Sequence, residues 1–247
     1  MNMSTTSVLR SEWIKIRSVR SVAGSLIAVF AATLTVTVLV FATVGQTEAD
    51  SPGYEPLFSA FYALNFGQIA AISFGATALS SEFLNGALRI SLSAVPRRGL
   101  LYGAKMSVIG GLALIVGLLT SLATFLVGQT FMGEYAIGLG DPGAIRATVG
   151  GGIYLMLMAL FAGGLAAVMR SAVAVLAVLI PFILIISFVL GGIAGDIAQY
   201  LPSQAGQLVL HQSPEGDLGP WAGLAVTAGW AGTALCAGWW SIRTKDA

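Results

Sequence analysis

The sequence predicts an all-α integral membrane protein. Six transmembrane helices follow an N-terminal amphipathic helix lying in the membrane interface, and both termini are cytoplasmic. Three observations predict this. Of 247 residues, 56% are hydrophobic and only 9% charged, and mean hydropathy is +0.86; a soluble domain carries about 25% charged residues. Six long stretches contain no Asp, Glu, Lys or Arg. The basic residues fall almost wholly on one side of the membrane those stretches imply.

Residues 1–247 read as one transmembrane domain. An interface helix is predicted over about 8–20, where Leu9, Trp13 and Ile16 recur at helical spacing and Arg10, Lys15, Arg17 and Arg20 surround them. Such a helix dips Trp and Leu into the bilayer and turns its basic groups toward phosphate. The spans are predicted over about 21–45, 57–80, 106–130, 147–169, 171–194 and 219–242. Each charge-free stretch exceeds the roughly 20 residues a helix needs to cross a hydrocarbon core of about 30 Å. Their backbone groups have no water to bond, so they form helices rather than strands. The first is too long for the apolar core of a signal peptide, about 7 to 15 residues, and reads as an uncleaved anchor.

The fourth and fifth spans are separated by Arg170 alone. A single helix of that combined length would overshoot any bilayer, so a tight hairpin turning at Arg170 is predicted. Pro181 lies inside the fifth span and is expected to kink it. The connection over 196–219 contains Ile197, Leu201 and an apolar run over 205–210. It reads either as a surface loop or as short helices folded back into the outer leaflet.

Orientation follows the positive-inside rule. With the N-terminus inside, eleven of the twelve basic residues are cytoplasmic and only Arg146 is outside. Trp221 at one end of the last span, and Trp239 and Trp240 at the other, read as interface anchors.

Several chemistries are absent. No Gly-Lys-Ser/Thr occurs, so the chain lacks the usual phosphate-cradling loop. A single histidine, His211, and a single cysteine, Cys236, exclude multi-histidine metal centres, zinc-protease motifs and disulfides. No catalytic, metal or cofactor-binding residue is assigned. Gly138-Leu139-Gly140-Asp141 matches the GxGD pattern of intramembrane aspartyl proteases, but that chemistry requires two carboxylates sharing a site within the membrane. A glycine turn is the better account. No acid or base lies within any predicted span, which argues against ion-coupled transport.

The loop over 80–105 is the longest cytoplasmic connection, and it gathers Arg89, Arg97, Arg98 and Lys105. Ser80-Ser81-Glu82 ends the second span, a short helix is predicted over 83–94, and the residue before Pro96 starts a turn. Lys105 is expected to snorkel to the headgroups. Glu82, Gly86, Arg89, Leu92, Pro96, Arg98 and Lys105 form a pattern that resembles the permeases of ATP-binding-cassette exporters of the type-2 class. The opening Leu9-Arg10-Ser11-Glu12-Trp13-Ile14-Lys15 is similar to the start of such permeases.

The resemblance implies a bacterial plasma-membrane transport subunit with no enzyme activity of its own. A separate cytosolic ATPase, carrying ATP and Mg, would dock through Glu82, Gly86, Arg89, Leu92, Pro96 and Arg98. The interface helix, with Trp13, Lys15 and Arg17, would form the rest of the docking surface. A second permease chain, identical or homologous, would complete a shared path for a hydrophobic or amphipathic substrate, and no nucleic acid partner is expected. The resemblance implies that the second and fifth spans line that path, which points to Phe61, Asn65 and Gln68 on the second; the alternative for Asn65 and Gln68 is helix-to-helix hydrogen bonding. The competing function is a sensor, signalling or channel protein that does not couple to an ATPase.

Overall fold

The structure, a computed structural model, describes all residues except 1–4, 50, 52–53, 88–92, 94–96, 190–194, 213–216 and 245–247. The described residues are helical and contain no strand. In chain order the helices are α1 (Thr5–Ser18), α2 (Arg20–Thr43), α3 (Gly45–Ala49), α4 (Pro56–Ala60), α5 (Leu64–Ser80), α6 (Arg98–Gln129), α7 (Ala144–Met169), α8 (Ala172–Val189), α9 (Pro202–Gln207) and α10 (Pro220–Thr244). Among them α2, α6 and α7 are long and apolar enough to cross a membrane by length and composition.

The outward faces carry the apolar residues a water-soluble bundle would hide. Ile27, Phe30 and Leu39 on α2, Ile115, Leu119 and Leu126 on α6, and Val173, Val178 and Leu184 on α8 are all exposed. Rows of this kind on several long helices suit lipid as the surrounding solvent. The core centres on α7, which packs against α5, α6 and α10. Its glycines make that approach possible. A Cβ at Gly164 would stand 2.6 Å from the Ala234 carbonyl carbon of α10, and one at Gly75 of α5 would run into the Ala159 carbonyl of α7. Hydroxyls within the helices return to their own backbone: Thr37 donates to Thr33 O at 2.8 Å and Thr120 to Val116 O at 2.7 Å.

The predicted hairpin is present. α7 ends at Met169, Arg170 adopts φ 55° with its N–H donating to Ala166 O at 2.8 Å, and α8 begins at Ala172. A left-handed residue closing a helix end reverses the chain within two residues. The Gly138–Asp141 segment is the glycine turn: Gly138 N donates to Asp141 Oδ2 at 2.6 Å.

Three elements differ from the sequence prediction, and a fourth follows one of the two readings left open for it, short helices. The second span is not one helix: α4 and α5 are separated at 61–63 by tight turns, including Leu64 N to Phe61 O at 2.9 Å, so the backbone stays satisfied while the axis breaks. The helix of the third span starts at Arg98 instead of 106 and runs through Gly103, because Leu101, Tyr102 and Ala104 are buried against the bundle and hold that stretch helical. The interface helix runs over Thr5–Ser18 and stops at Val19, whose extended backbone (φ −86°, ψ 108°) separates it from α2. The loop after α8 holds 3-10 turns at Gly195–Tyr200 and Leu208–Leu210 flanking α9. It is built into the bundle, with Ala205, Val209 and Leu210 buried. Val209 meets Gly150 of α7, and the Ala205 carbonyl meets Gly223 of α10.

Candidate functional site

Among the described residues, Lys15, Arg98, Lys105, Arg170 and Arg243 contact the ends of α5, α6 and α10 and the α7–α8 hairpin, and there four charges form a ring in which all but Lys15 are buried. The row Val8, Glu12, Ile16 on α1 has a spacing of four, which aligns it on one helix face. All three residues face the protein, and Glu12 has no exposed surface. The row Leu101, Lys105, Ile109 does the same on α6, where Lys105 is 2% exposed. Lys105 lies seven residues into its helix, about 10 Å along the axis, and its ammonium is taken up inside the protein by Glu12 and Glu82. Snorkelling is therefore excluded by register: its neighbours at four-residue spacing are core residues.

Between the two rows sits the 3-10 turn Ser81–Gly86 that continues α5, contributing buried Glu82. Lys15 Nζ lies 2.7 Å from Glu12 Oε1 and 3.3 Å from Glu82 Oε1. Lys105 Nζ lies 3.2 Å from Glu12 Oε2 and bonds directly to Glu82 Oε1. Each ammonium thus bridges both carboxylates, and the ring is neutral overall. At an effective dielectric of about 20 the contacts of buried Lys105 are worth about 5 kcal/mol each, those of the more exposed Lys15 are screened to less, and burying each ion costs several kcal/mol. The complete ring roughly balances, and a ring missing one member leaves a buried charge uncompensated. Partial burial by itself lowers the Lys15 pKa, but bonding to Glu12 and attraction to Glu82 outweigh it, so the Lys15 pKa lies above its ordinary value.

The turn is held from its other side as well. Phe83, next to Glu82, lies beneath the guanidinium of Arg170, 5.5 Å from its ring centroid. The Ser81–Gly86 turn is therefore clamped between α1 and α6 through Glu82, and the α7–α8 hairpin through Phe83. Leu84, one residue on, is 63% exposed, so the clamped turn also presents an apolar side chain outward.

The predicted site residues divide. Glu82 joins the ring together with Lys15. Trp13 is 47% exposed and lies beside Ile14 on the outer face of α1, where it suits the bilayer interface. Arg98 Nη1 donates to Ile242 O of α10 at 3.0 Å, which ties the start of α6 to the last helix. Gly86 ends the 3-10 turn. Arg89, Leu92, Pro96 and the side chain of Arg17 lie outside the described residues, as does half of the predicted helix over 83–94.

Phe61, Asn65 and Gln68 do not form one open face. Phe61 and Gln68 are buried, and Asn65 is partly exposed with its Nδ2 donating to Tyr62 O at 3.1 Å. Gln68 enters a polar node with Tyr154 of α7 and Ser203 and Gln207 of α9. Tyr154 Oη donates to Gln68 Oε1, Ser203 Oγ donates to the same oxygen at 3.1 Å, and Gln207 Nε2 donates to Ser203 Oγ at 3.1 Å. This is the helix-to-helix bonding weighed for Gln68. It fixes the returning loop to the bundle, helped by Thr227 Oγ1 donating to Pro202 O at 2.9 Å. At the same end Glu55 Oε2 lies 2.8 Å from His211 Nδ1, and the His211 ring stacks on Phe58 at 4.0 Å.

Sequence reasoning missed Glu12, Tyr154, Ser203 and Gln207 as parts of sites. Signals existed for two sets: Glu12 falls on the Val8–Ile16 row, and Ser203 and Gln207 stand four apart on one short helix. No local feature marked Tyr154 as the partner of Gln68.

No curated protein and no solved structure matches the chain. The description ABC-2 family transporter protein matches residues 8–195, which include α1, the clamped turn, the loop over 80–105 and the α7–α8 hairpin. The chain belongs to the ABC-2 family and is an ATP-binding-cassette transporter permease of a multi-pass membrane kind.

Proposed function

We propose that the chain is the membrane subunit of an exporter whose cytosolic ATPase docks on the 80–105 loop and on α1. Six spans, formed by α2, α4 with α5, α6, α7, α8 and α10, leave both termini in the cytoplasm of a bacterial cell. Two permease chains pair around a path for a hydrophobic or amphipathic substrate. ATP and Mg bind the partner subunit.

The observation that carries this reading is the clamp on the Ser81–Gly86 turn. A loop that receives a partner's motion needs a stiff connection to the spans, and a neutral ring with three of its four members buried supplies one. The ring joins α1 and α6, so motion at the loop and motion at the N-terminal helix reach the spans together. The concentration of basic residues at the same end agrees with a cytoplasmic placement. Without a phosphate-binding loop in the sequence, the driving energy comes from the ATPase.

The test is charge reversal on the docking loop outside the ring. Arg89→Glu reduces the amount of ATPase subunit retained on affinity-purified permease, while Arg89→Lys retains it and both variants insert normally. Equal retention by wild type and Arg89→Glu would remove the loop from the docking surface.

A further inference from the structure

We propose that a cavity between the start of α6 and the end of α10 binds the phosphate of an anionic phospholipid. The cavity has a volume of about 520 Å³ and is lined by Arg97, Arg98, Gly99, Leu100, Trp239 and Arg243. Three of its six residues are arginines, and none is acidic. Arginine presents a planar fork of donors that matches phosphate oxygens two at a time. Basic pockets between helices at the membrane surface recognise lipid headgroups through this combination of charge and geometry.

The two helices hold the arginines in place. Arg98 is anchored by its bond to Ile242 O, and the Arg243 guanidinium lies over the Trp239 ring, 4.4 Å from its centroid. Trp239 presents its indole nitrogen to the Gly99 side, where any Cβ would stand 3.0 Å from Nε1. A glycine there keeps the cavity open. Arg97 and Arg243 are exposed, which leaves their charge available to a headgroup.

The surroundings favour lipid over a soluble anion. Trp239 and Trp240 are 42% and 68% exposed at the end of α10. Exposed indoles of this kind settle at headgroup level. Leu100 supplies an apolar wall of the sort an acyl chain follows on leaving its headgroup. The cavity shares residues 97–100 with the 80–105 loop but uses neither the clamped turn nor Arg89, so lipid retention and the Arg89→Glu docking test fail separately.

The protein, purified in dodecyl maltoside, is titrated with dioleoyl phosphatidylglycerol or dioleoyl phosphatidylcholine, and lipid retention is read by native mass spectrometry. Wild type retains phosphatidylglycerol in preference to phosphatidylcholine. Arg97→Gln with Arg243→Gln, which spares Arg98, weakens phosphatidylglycerol binding about thirtyfold, at about fivefold per arginine, with little effect on phosphatidylcholine. The wild-type comparison stands even if the double variant fails to fold. Equal retention of the two lipids by wild type would overturn the proposal, as would unchanged binding by a folded double variant. A third arm replaces lipid with inorganic phosphate and reads the melting temperature. A shift at millimolar phosphate equal to that from phosphatidylglycerol would overturn the lipid assignment in favour of free phosphate, whereas the absence of such a shift supports it.

Discussion

Replacing Lys105 with methionine removes one charge from the ring and little volume. Glu12 and Glu82 are then left to share Lys15, whose side chain is 37% exposed against 0% and 7% for theirs. A net negative charge remains in a site with almost no solvent. Breaking a buried pair in this way costs about 3–5 kcal/mol. On the scale of soluble domains of similar length, each kcal/mol lowers the melting temperature by about 2–4 °C, so Lys105→Met loses about 6–20 °C. The control is Glu12→Gln combined with Lys105→Met, which leaves the neutral pair Lys15–Glu82 at 3.3 Å. It is milder than Lys105→Met alone, and the two single changes are coupled by about 2 kcal/mol. The assay is thermal unfolding in detergent, followed by loss of the monodisperse peak in size-exclusion chromatography. A Lys105→Met protein melting within about 2 °C of wild type would refute the ring as a structural unit. A double variant that loses the sum of both singles would refute the pairing.

Tyr154→Phe keeps the ring that packs against Gly206 but removes a donor to Gln68; it lowers the melting temperature by a few degrees, for about 1 kcal/mol, measured in the same assay. Because the Lys15 pKa is raised above its ordinary 10.5, the stability it supplies is fully present below pH 10.5 and is lost as pH rises through its folded value. The difference in melting temperature between wild type and Lys15→Met is therefore constant from pH 8 to 10 and shrinks only above about pH 10.5. In a Cys236→Ala background, a cysteine at Gly140 reacts with a membrane-impermeant maleimide on intact cells. One at Ser93 reacts only after the membrane is opened, and the reverse pattern would invert the topology.

Most of the architecture was legible because lipid imposes a simple rule. Charge-free stretches announce helices, and a lone Arg170 between two of them announces the hairpin. The break at 61–63 was not legible, since Phe61, Tyr62 and Ala63 carry no helix-breaking signal and tertiary packing decides the axis there. The returning loop showed its apolar content but not its depth, which depends on Gly150 and Gly223 leaving room for it. The site was legible in part. Glu82 stood out through its place in a motif, whereas Lys105 was misread because a lysine near a span end usually snorkels. Only the partners brought from α1 and the turn make its burial tolerable. Gln68 was paired with Asn65 as a path-lining face, and the two do meet, Gln68 Nε2 donating to Asn65 Oδ1 at 3.4 Å, but its interhelical partners stand 86 and 135 positions away, beyond the reach of any local pattern.

The central claim is that the clamped turn couples this permease to an ATPase. The most direct measurement is coexpression with the neighbouring genes, gentle purification, subunit identification by mass spectrometry and an assay of vanadate-sensitive ATP turnover. The account predicts a stoichiometric nucleotide-binding subunit with turnover that falls in a folded Glu82→Gln variant. A permease that purifies alone, or a complex whose turnover ignores Glu82, would contradict it.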